Sequence, residues 1–311
     1  MDGVTPGTDG TGSDGRGPDG TVQAFAPGKL ILLGEHAVVY GHPAVAIAVD
    51  RGTTVHLSHL DGASRVLSAD IPGAEGDPRL AAAIHSQLPS SGVGVRLRST
   101  LPVGRGMGSS GALAIALVRA AAAWQGRVAT LDECLRRGFE VERIFHGTPS
   151  GLDHSVSARG GALSYRRGPD GPELSPLSIA PLPLVVLDTG LAGDTSALVA
   201  AVRARRPAVD PALSAIGELV TTLLPALKAG DLPTLGQGFT ENQRLLRLIG
   251  VSTPEIEALV DLALDHGAFG AKLAGAGGGG VVIALHPHPQ ALLQAARGRG
   301  VPAFTVQVWP G

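Results

Sequence analysis

Eight residues, Gly104-Arg105-Gly106-Met107-Gly108-Ser109-Ser110-Gly111, place glycines and two hydroxyls immediately before an apolar, alanine-rich segment. The start of a helix offers unpaired N–H groups and the positive end of its dipole, both suited to an anion. Glycines let a phosphate approach the backbone closely, and the two serine hydroxyls can bond phosphate or ligate a hard cation. The stretch therefore reads as a phosphate cradle; the plain alternative is a glycine turn that only lets the helix pack closely.

Three familiar cradles do not fit. Gly106, Gly108 and Gly111 spell G-x-G-x-x-G after a strand, with Asp132 about 20 residues on, as a dinucleotide site asks. That acid should end the next strand, whereas Asp132 opens a helix capped by Thr130 and Glu133 in a T-x-x-E box. The G-K-[ST] of a P-loop is missing, as are the H-R-D and D-F-G of protein kinases.

The elements that must position the loop are legible in outline. A strand runs from about residue 22, broken by a Pro27-Gly28 turn, and a connection near Tyr40–Pro43 leads to a long strand. Val93, Val95 and Leu97 alternate with Gly94, Arg96 and Arg98 in a half-buried strand before the loop. A short helix and a strand follow within 147–165, and 166–184 reads as a turn-rich passage. Beyond it, "LVVLDTG" is a buried strand, four helices follow, and "AKLAGAGGGGVVIAL" is a glycine loop entering a strand. A last strand closes the chain. The class is α+β, with halves meeting near residue 185.

Composition bounds the function. The chain has 311 residues, 44% of them hydrophobic but only 3% aromatic, so the core is aliphatic. Twenty-five Lys and Arg balance 27 Asp and Glu for a net charge of −2, which argues against nucleic acid as a partner. Cys134 is the single cysteine and fits a reducing, cytoplasmic setting. No apolar run reaches membrane-spanning length, Arg119 interrupting the longest, and residues 1–21 read as a disordered Gly- and Asp-rich tail rather than a signal peptide. His56, His59 and the "HPHP" at 286–289 lack the context of a zinc site.

Three stretches in order, "APGKLILLGEHAVVYGHPAVAIAVD" (26–50), "LPVGRGMGSSGALAIA" (101–116) and "KLAGAGGGGVVIAL" (272–285), resemble the three motifs of the GHMP small-molecule kinases. "VERIFHGTPSGLDHSVSARGGAL" and "DTSALVAAVRAR" are most similar to the members that phosphorylate mevalonate. The resemblance implies a two-domain GHMP kinase fold. Its N-terminal ribosomal protein S5 domain 2-like domain would span 22–185 and bind ATP, and its C-terminal ferredoxin-like GHMP domain would span 186–311. It implies transfer of the γ-phosphoryl of ATP to the primary hydroxyl of mevalonate, with Mg²⁺, a small-molecule substrate, no nucleic acid and no membrane. A homodimer is left open.

Residue by residue, Gly104 to Gly111 match the ATP-binding motif, Ser110 and Glu142 the Mg²⁺ contacts, and Asp153 the base. Lys29 matches the lysine that keeps that base ionised and balances phosphoryl charge. Glu35, His36 and Thr195 match substrate contacts, and Gly275, Gly277, Gly278 and Gly279 the third glycine motif. Taken alone, Glu142 reads as a solvated helix carboxylate, Lys29 as a surface lysine, Asp153 as a turn residue and His36 as a structural histidine. The chain departs from the pattern at His154, where the family usually has Asn, a change expected to bear on the hydrogen bond that orients Asp153. It departs again at Gly111, where Ala is usual, expected to be a small change. Other GHMP kinases share the glycine motifs, phosphomevalonate kinase among them, yet "GTPSGLDH" adds no local Lys or Arg for a second phosphate. Loss of Lys29, Ser110, Glu142 or Asp153 would favour the alternative of a non-catalytic sensor that binds ATP and a metabolite, and all four are present.

Overall fold

The computed structural model describes residues 17, 20–71, 76–147, 149–168 and 171–310. Most of the tail expected at 1–21 lies outside them. The chain forms two compact units that interleave along the sequence. The first takes in residues up to Pro27, Gly52–Leu101 and Ser109–Ala158; the second takes in Gly28–Arg51, Pro102–Gly108 and the chain from Arg159 onward. Strands β1 (Val22–Leu33) and β2 (Ala44–Ala63) each begin in one unit and end in the other.

The Pro27-Gly28 turn expected from sequence is absent, and β1 runs straight through it. Among the described residues β1 pairs only with β2, so proline's missing N–H leaves little of the ladder unmade.

In the first unit, β3 (Arg65–Asp70) lies parallel to β4 (Ser91–Ser99), and β4 pairs antiparallel with β2 from Thr53↔Ser99 to His59↔Val93. Helices α1 (Pro78–Gln87), α2 (Ser109–Trp124), α3 (Leu131–His146) and α4 (Leu152–Arg159) complete it. Val93, Val95 and Leu97 are buried while Arg96 and Arg98 are not, as their alternation requires. Helix α2 is buried on nearly every side, which its Ala-Leu-Ile-Val sequence permits. Its one buried-face exception is satisfied: Arg119 donates to the carbonyls of Phe25 at 2.9 Å and Ala158 at 3.0 Å. The Thr130 hydroxyl caps α3 through the Glu133 N–H, but the box is only half closed. Glu133 turns instead to Arg127 and Arg137, which hold its carboxyl down at about 2.

In the second unit, β2 pairs antiparallel with β5 (Ala162–Gly168) from Ala44↔Tyr165 to Ile47↔Ala162, and β5 pairs with β6 (Gly171–Leu177). The passage expected as turns is therefore partly a strand. Pro172 and Pro176 disguise it, and they are tolerated because β6 is an edge. A second, antiparallel sheet runs β10 (Ala303–Val306), β7 (Leu184–Asp188), β9 (Val281–Leu285) and β8 (Gly270–Ala274). Helices α5 (Thr195–Ala204), α6 (Asp210–Ala229), α7 (Leu232–Leu248), α8 (Pro254–Asp265) and α9 (Pro289–Gly298) belong with it. Helix α6 is long and apolar enough to cross a membrane by length and composition alone, but its Leu213, Ile216, Val220, Leu223 and Leu227 are buried inside the unit.

Candidate active site

The glycine loop leaves β4 and reaches α2 with Gly104, Gly106 and Gly108 all at positive φ, between 70° and 77°. Side chains rarely adopt that conformation, so the alternating glycines let the backbone curl. The curl is anchored from three sides of the second unit. The Lys29 N–H donates to the Met107 carbonyl at 2.9 Å, and a Cβ on Gly108 would stand 2.8 Å from the Lys29 Cγ. Arg105 pairs with Asp188 at the end of β7 (2.9 Å) and donates to the Gly190 carbonyl (2.6 Å). The Met107 side chain is fully buried, so this residue serves the loop by anchoring it. A small pocket is lined by Gly104, Arg105, Gly106, Thr195, Ala276 and Gly277, which joins the second and third glycine motifs with the first turn of α5. Gly275, Gly278 and Gly279 belong to the same third loop, between β8 and β9, each at positive φ.

In the first unit, Ser109 and Ser110 open α2. The Ser110 hydroxyl meets His146 Nε2 at 2.9 Å, in the last turn of α3. Glu142, one turn earlier on α3, is buried at 3% exposure, so it is no solvated helix carboxylate. Lys29 is equally far from a surface lysine at 4%. Oxygen donors such as the Ser110 hydroxyl and Glu142 carboxylate are the chemistry that suits Mg²⁺.

Asp153 occupies the first turn of α4, where a carboxylate is favoured by the dipole. Gly111 proves anything but incidental: a Cβ there would lie 2.8 Å from both the Asp153 carbonyl carbon and the His154 nitrogen. Helix α4 is seated directly on that glycine. His154 points the other way. Its ring is buried beside Phe139, centroids 5.6 Å apart, and against Gly138; burial pushes its pKa down to about 4. Its Nδ1 has no hydrogen-bond partner. The residue packs as a neutral ring, so the expected influence on Asp153 through a hydrogen bond is not what this side chain provides.

Glu35 and His36 stand in the second unit, and both are buried. Glu35 Oε2 accepts from Asn242 Nδ2 at 2.9 Å, and its other oxygen is ion-paired with the Lys272 ammonium. Lys272 also donates to the Leu273 carbonyl at 2.7 Å. Burial lowers the Lys272 pKa, and the Glu35 charge opposes that shift. Glu35 thus joins the first motif to α7 and β8. His36 adopts φ 59°, unusual for a residue with a side chain, and its Nε2 donates to the Ala276 carbonyl at 2.8 Å. A carbonyl can only accept, so Nε2 carries the proton; burial keeps the ring's pKa below its usual value.

Sequence reasoning passed over Lys272, Asn242 and His146. Lys272 opens the third motif as an unremarkable lysine, and Asn242 sits in a helix whose periodicity speaks only of packing. A signal for His146 existed: it follows Glu142 by one helical turn, so both share a face of α3.

The sequence model of the GHMP kinases N terminal domain matches residues 78–161, and that of GHMP kinases C terminal matches 223–299. A mevalonate kinase from Pyrococcus horikoshii is 39% identical over 304 residues, covering 86% of this chain and 90% of that one. The Thermococcus sibiricus mevalonate kinase is 36% identical, covering 88% and 92%. The crystal structure of L. major mevalonate kinase in complex with R-mevalonate superposes with a TM-score of 0.83 at 28% identity, covering 93% and 96%. On sequence, length and fold together, this chain belongs to the mevalonate kinase family of the GHMP kinases.

Proposed function

We propose that this protein transfers the γ-phosphoryl group of ATP to the primary (C5) hydroxyl of mevalonate, releasing 5-phosphomevalonate and ADP for isoprenoid synthesis in the cytoplasm. The observation that carries the reading is the match to mevalonate kinases over almost the whole chain, with the chemistry-bearing residues of each motif in place.

Phosphoryl transfer asks a protein mainly for positioning and charge stabilisation. The amides of the Gly104–Gly111 loop cradle the triphosphate at the start of α2. Ser110 and Glu142 would hold Mg²⁺, which would supply neutralisation of charge on the phosphate oxygens. Asp153 accepts the proton of the mevalonate hydroxyl as it attacks. The Lys29 ammonium offsets charge building on the transferring group. His36 and Thr195 contribute to binding the acceptor, with Glu35 acting through the loop it fixes. The third glycine motif closes round the phosphates.

The reading is tested by incubating the protein with Mg²⁺ and ATP and, in turn, mevalonate, 5-phosphomevalonate, homoserine and galactose. ADP release and ³¹P NMR follow the reaction. A phosphate monoester from mevalonate, lost in Asp153→Asn and Lys29→Met, is the expected result. A diphosphate from 5-phosphomevalonate alone would move the enzyme one step along the pathway, and no turnover with tight ATP binding would point to a sensor.

A further inference from the structure

The hydroxyl of a serine is a free rotor, carrying one proton and two lone pairs. As a cation ligand it serves only in orientations that aim a lone pair at the metal and the proton elsewhere. At Ser110 something holds the rotor. His146 Nε2 lies 2.9 Å from the Ser110 oxygen, and His146 stands one helical turn beyond Glu142 on the same face of α3. Residues four apart on a helix have Cβ atoms about 6 Å apart. One helix face thus presents the buried Glu142 carboxylate and, next to it, an imidazole engaged with the hydroxyl at the start of α2.

We propose that His146 is a positioning residue for the divalent cation: its Nε2 accepts the Ser110 proton and turns the serine lone pairs toward the metal that Glu142 also binds. This rests on reading Ser110 and Glu142 as the cation's protein ligands. The imidazole itself is a poor partner for Mg²⁺, which prefers oxygen, and its contribution is to the geometry of a ligand that is oxygen. Hydrogen bonds to first ligands do the same work in other metal sites, fixing their orientation and raising their donor strength. His146 is surface-exposed at the end of its helix, so its removal leaves the core of the unit untouched.

The test is Mn²⁺ binding to the full-length protein with ADP, read by electron paramagnetic resonance of free Mn²⁺. It compares wild type, Ser110→Ala, His146→Ala, His146→Gln and the Ser110→Ala/His146→Ala double variant. His146→Ala is expected to weaken Mn²⁺ by about 3- to 10-fold, the worth of one hydrogen bond. His146→Gln, whose amide oxygen can accept in place of Nε2, should restore affinity to within about twofold. In the Ser110→Ala background the histidine change should add nothing, because the hydroxyl it orients is gone. Kinetically, His146→Ala should raise KM for Mg²⁺-ATP and leave kcat nearly unchanged at saturating metal. If Ser110→Ala weakens Mn²⁺ while His146→Ala does not, or if the two losses add, the role for His146 falls and the ligand reading stands. If Ser110→Ala leaves Mn²⁺ binding unchanged, the ligand reading falls, and the inference with it.

Discussion

Lys272→Met would strand the buried Glu35 carboxylate with its hydrogen bond from Asn242 but without its counter-charge. Breaking a buried pair from one side typically costs about 3–5 kcal/mol, much of it the desolvation of the charge left behind. Urea denaturation should show a loss of that size, and the Glu35→Met/Lys272→Met double variant should recover most of it. The same residue-scale reasoning gives His154 a pH signature. Its folded pKa of about 4 lies below the 6.5 of an ordinary histidine. The unfolded chain therefore takes up a proton as pH falls below about 6.5, while the folded chain takes it up only near 4. Stability drops through that window, by about 2 kcal/mol at pH 5, and the full cost is in place below pH 4. His154→Asn should lose about 2 kcal/mol less than wild type between pH 7 and pH 5; equal losses would show that the ring is solvated. The burial of Lys29 and Glu142 was not legible from residue type, since each taken alone reads as a surface charge. Nor was it legible that Glu35 is bound by protein, because its partner Lys272 lies 237 positions away and nothing in either neighbourhood announces a pair.

Between elements, α4 is seated on Gly111, and under the proposed role of Asp153 as the base that seat bears on the rate. A methyl group at that position has no room, since Asp153 and His154 present backbone there and backbone cannot swing aside. Gly111→Ala should shift the start of α4 and with it Asp153. Displacing a reacting group by about 1 Å commonly costs on the order of 10²-fold in rate. A fall in kcat of that order, with ATP affinity held near wild type, is the expected outcome of steady-state kinetics and nucleotide titration. Read as sequence, Gly111 is one small residue in place of another; only the approach of a second helix gives the difference its weight. The glycine loop and α2 were legible because their signals are contiguous. β3, α1 and α9 were not anticipated, and β6 was hidden by its prolines. The Thr130 cap was visible, whereas the diversion of Glu133 to Arg127 and Arg137 depends on side chains converging from α3 and the turn before it.

At the scale of the whole chain, the end of the sequence closes the second unit. β10 is the edge of the four-stranded sheet, Trp309 donates to the Ala48 carbonyl at 2.9 Å, and Gly161 donates to the Trp309 carbonyl at 2.7 Å. Removing residues 303–311 deletes a strand and both of these ties. A drop in Tm on the order of 5–10 °C is expected by calorimetry, given 2–4 °C per kcal/mol for folded units of this size. The α+β class and the family were readable from ordered motifs. The interleaving of the two units was not, because it depends on β1 and β2 each crossing from one to the other, which no local pattern encodes. The buried Glu35–Lys272 pair has a consequence for recombination between relatives. A chimera that takes its first motif from one parent and its third from another inherits the two halves of a charge pair from different ancestors. Where the second parent carries a different solution at either position, such a crossover leaves an unmatched ion in the interior, so viable breakpoints must keep residues 35, 242 and 272 in common descent.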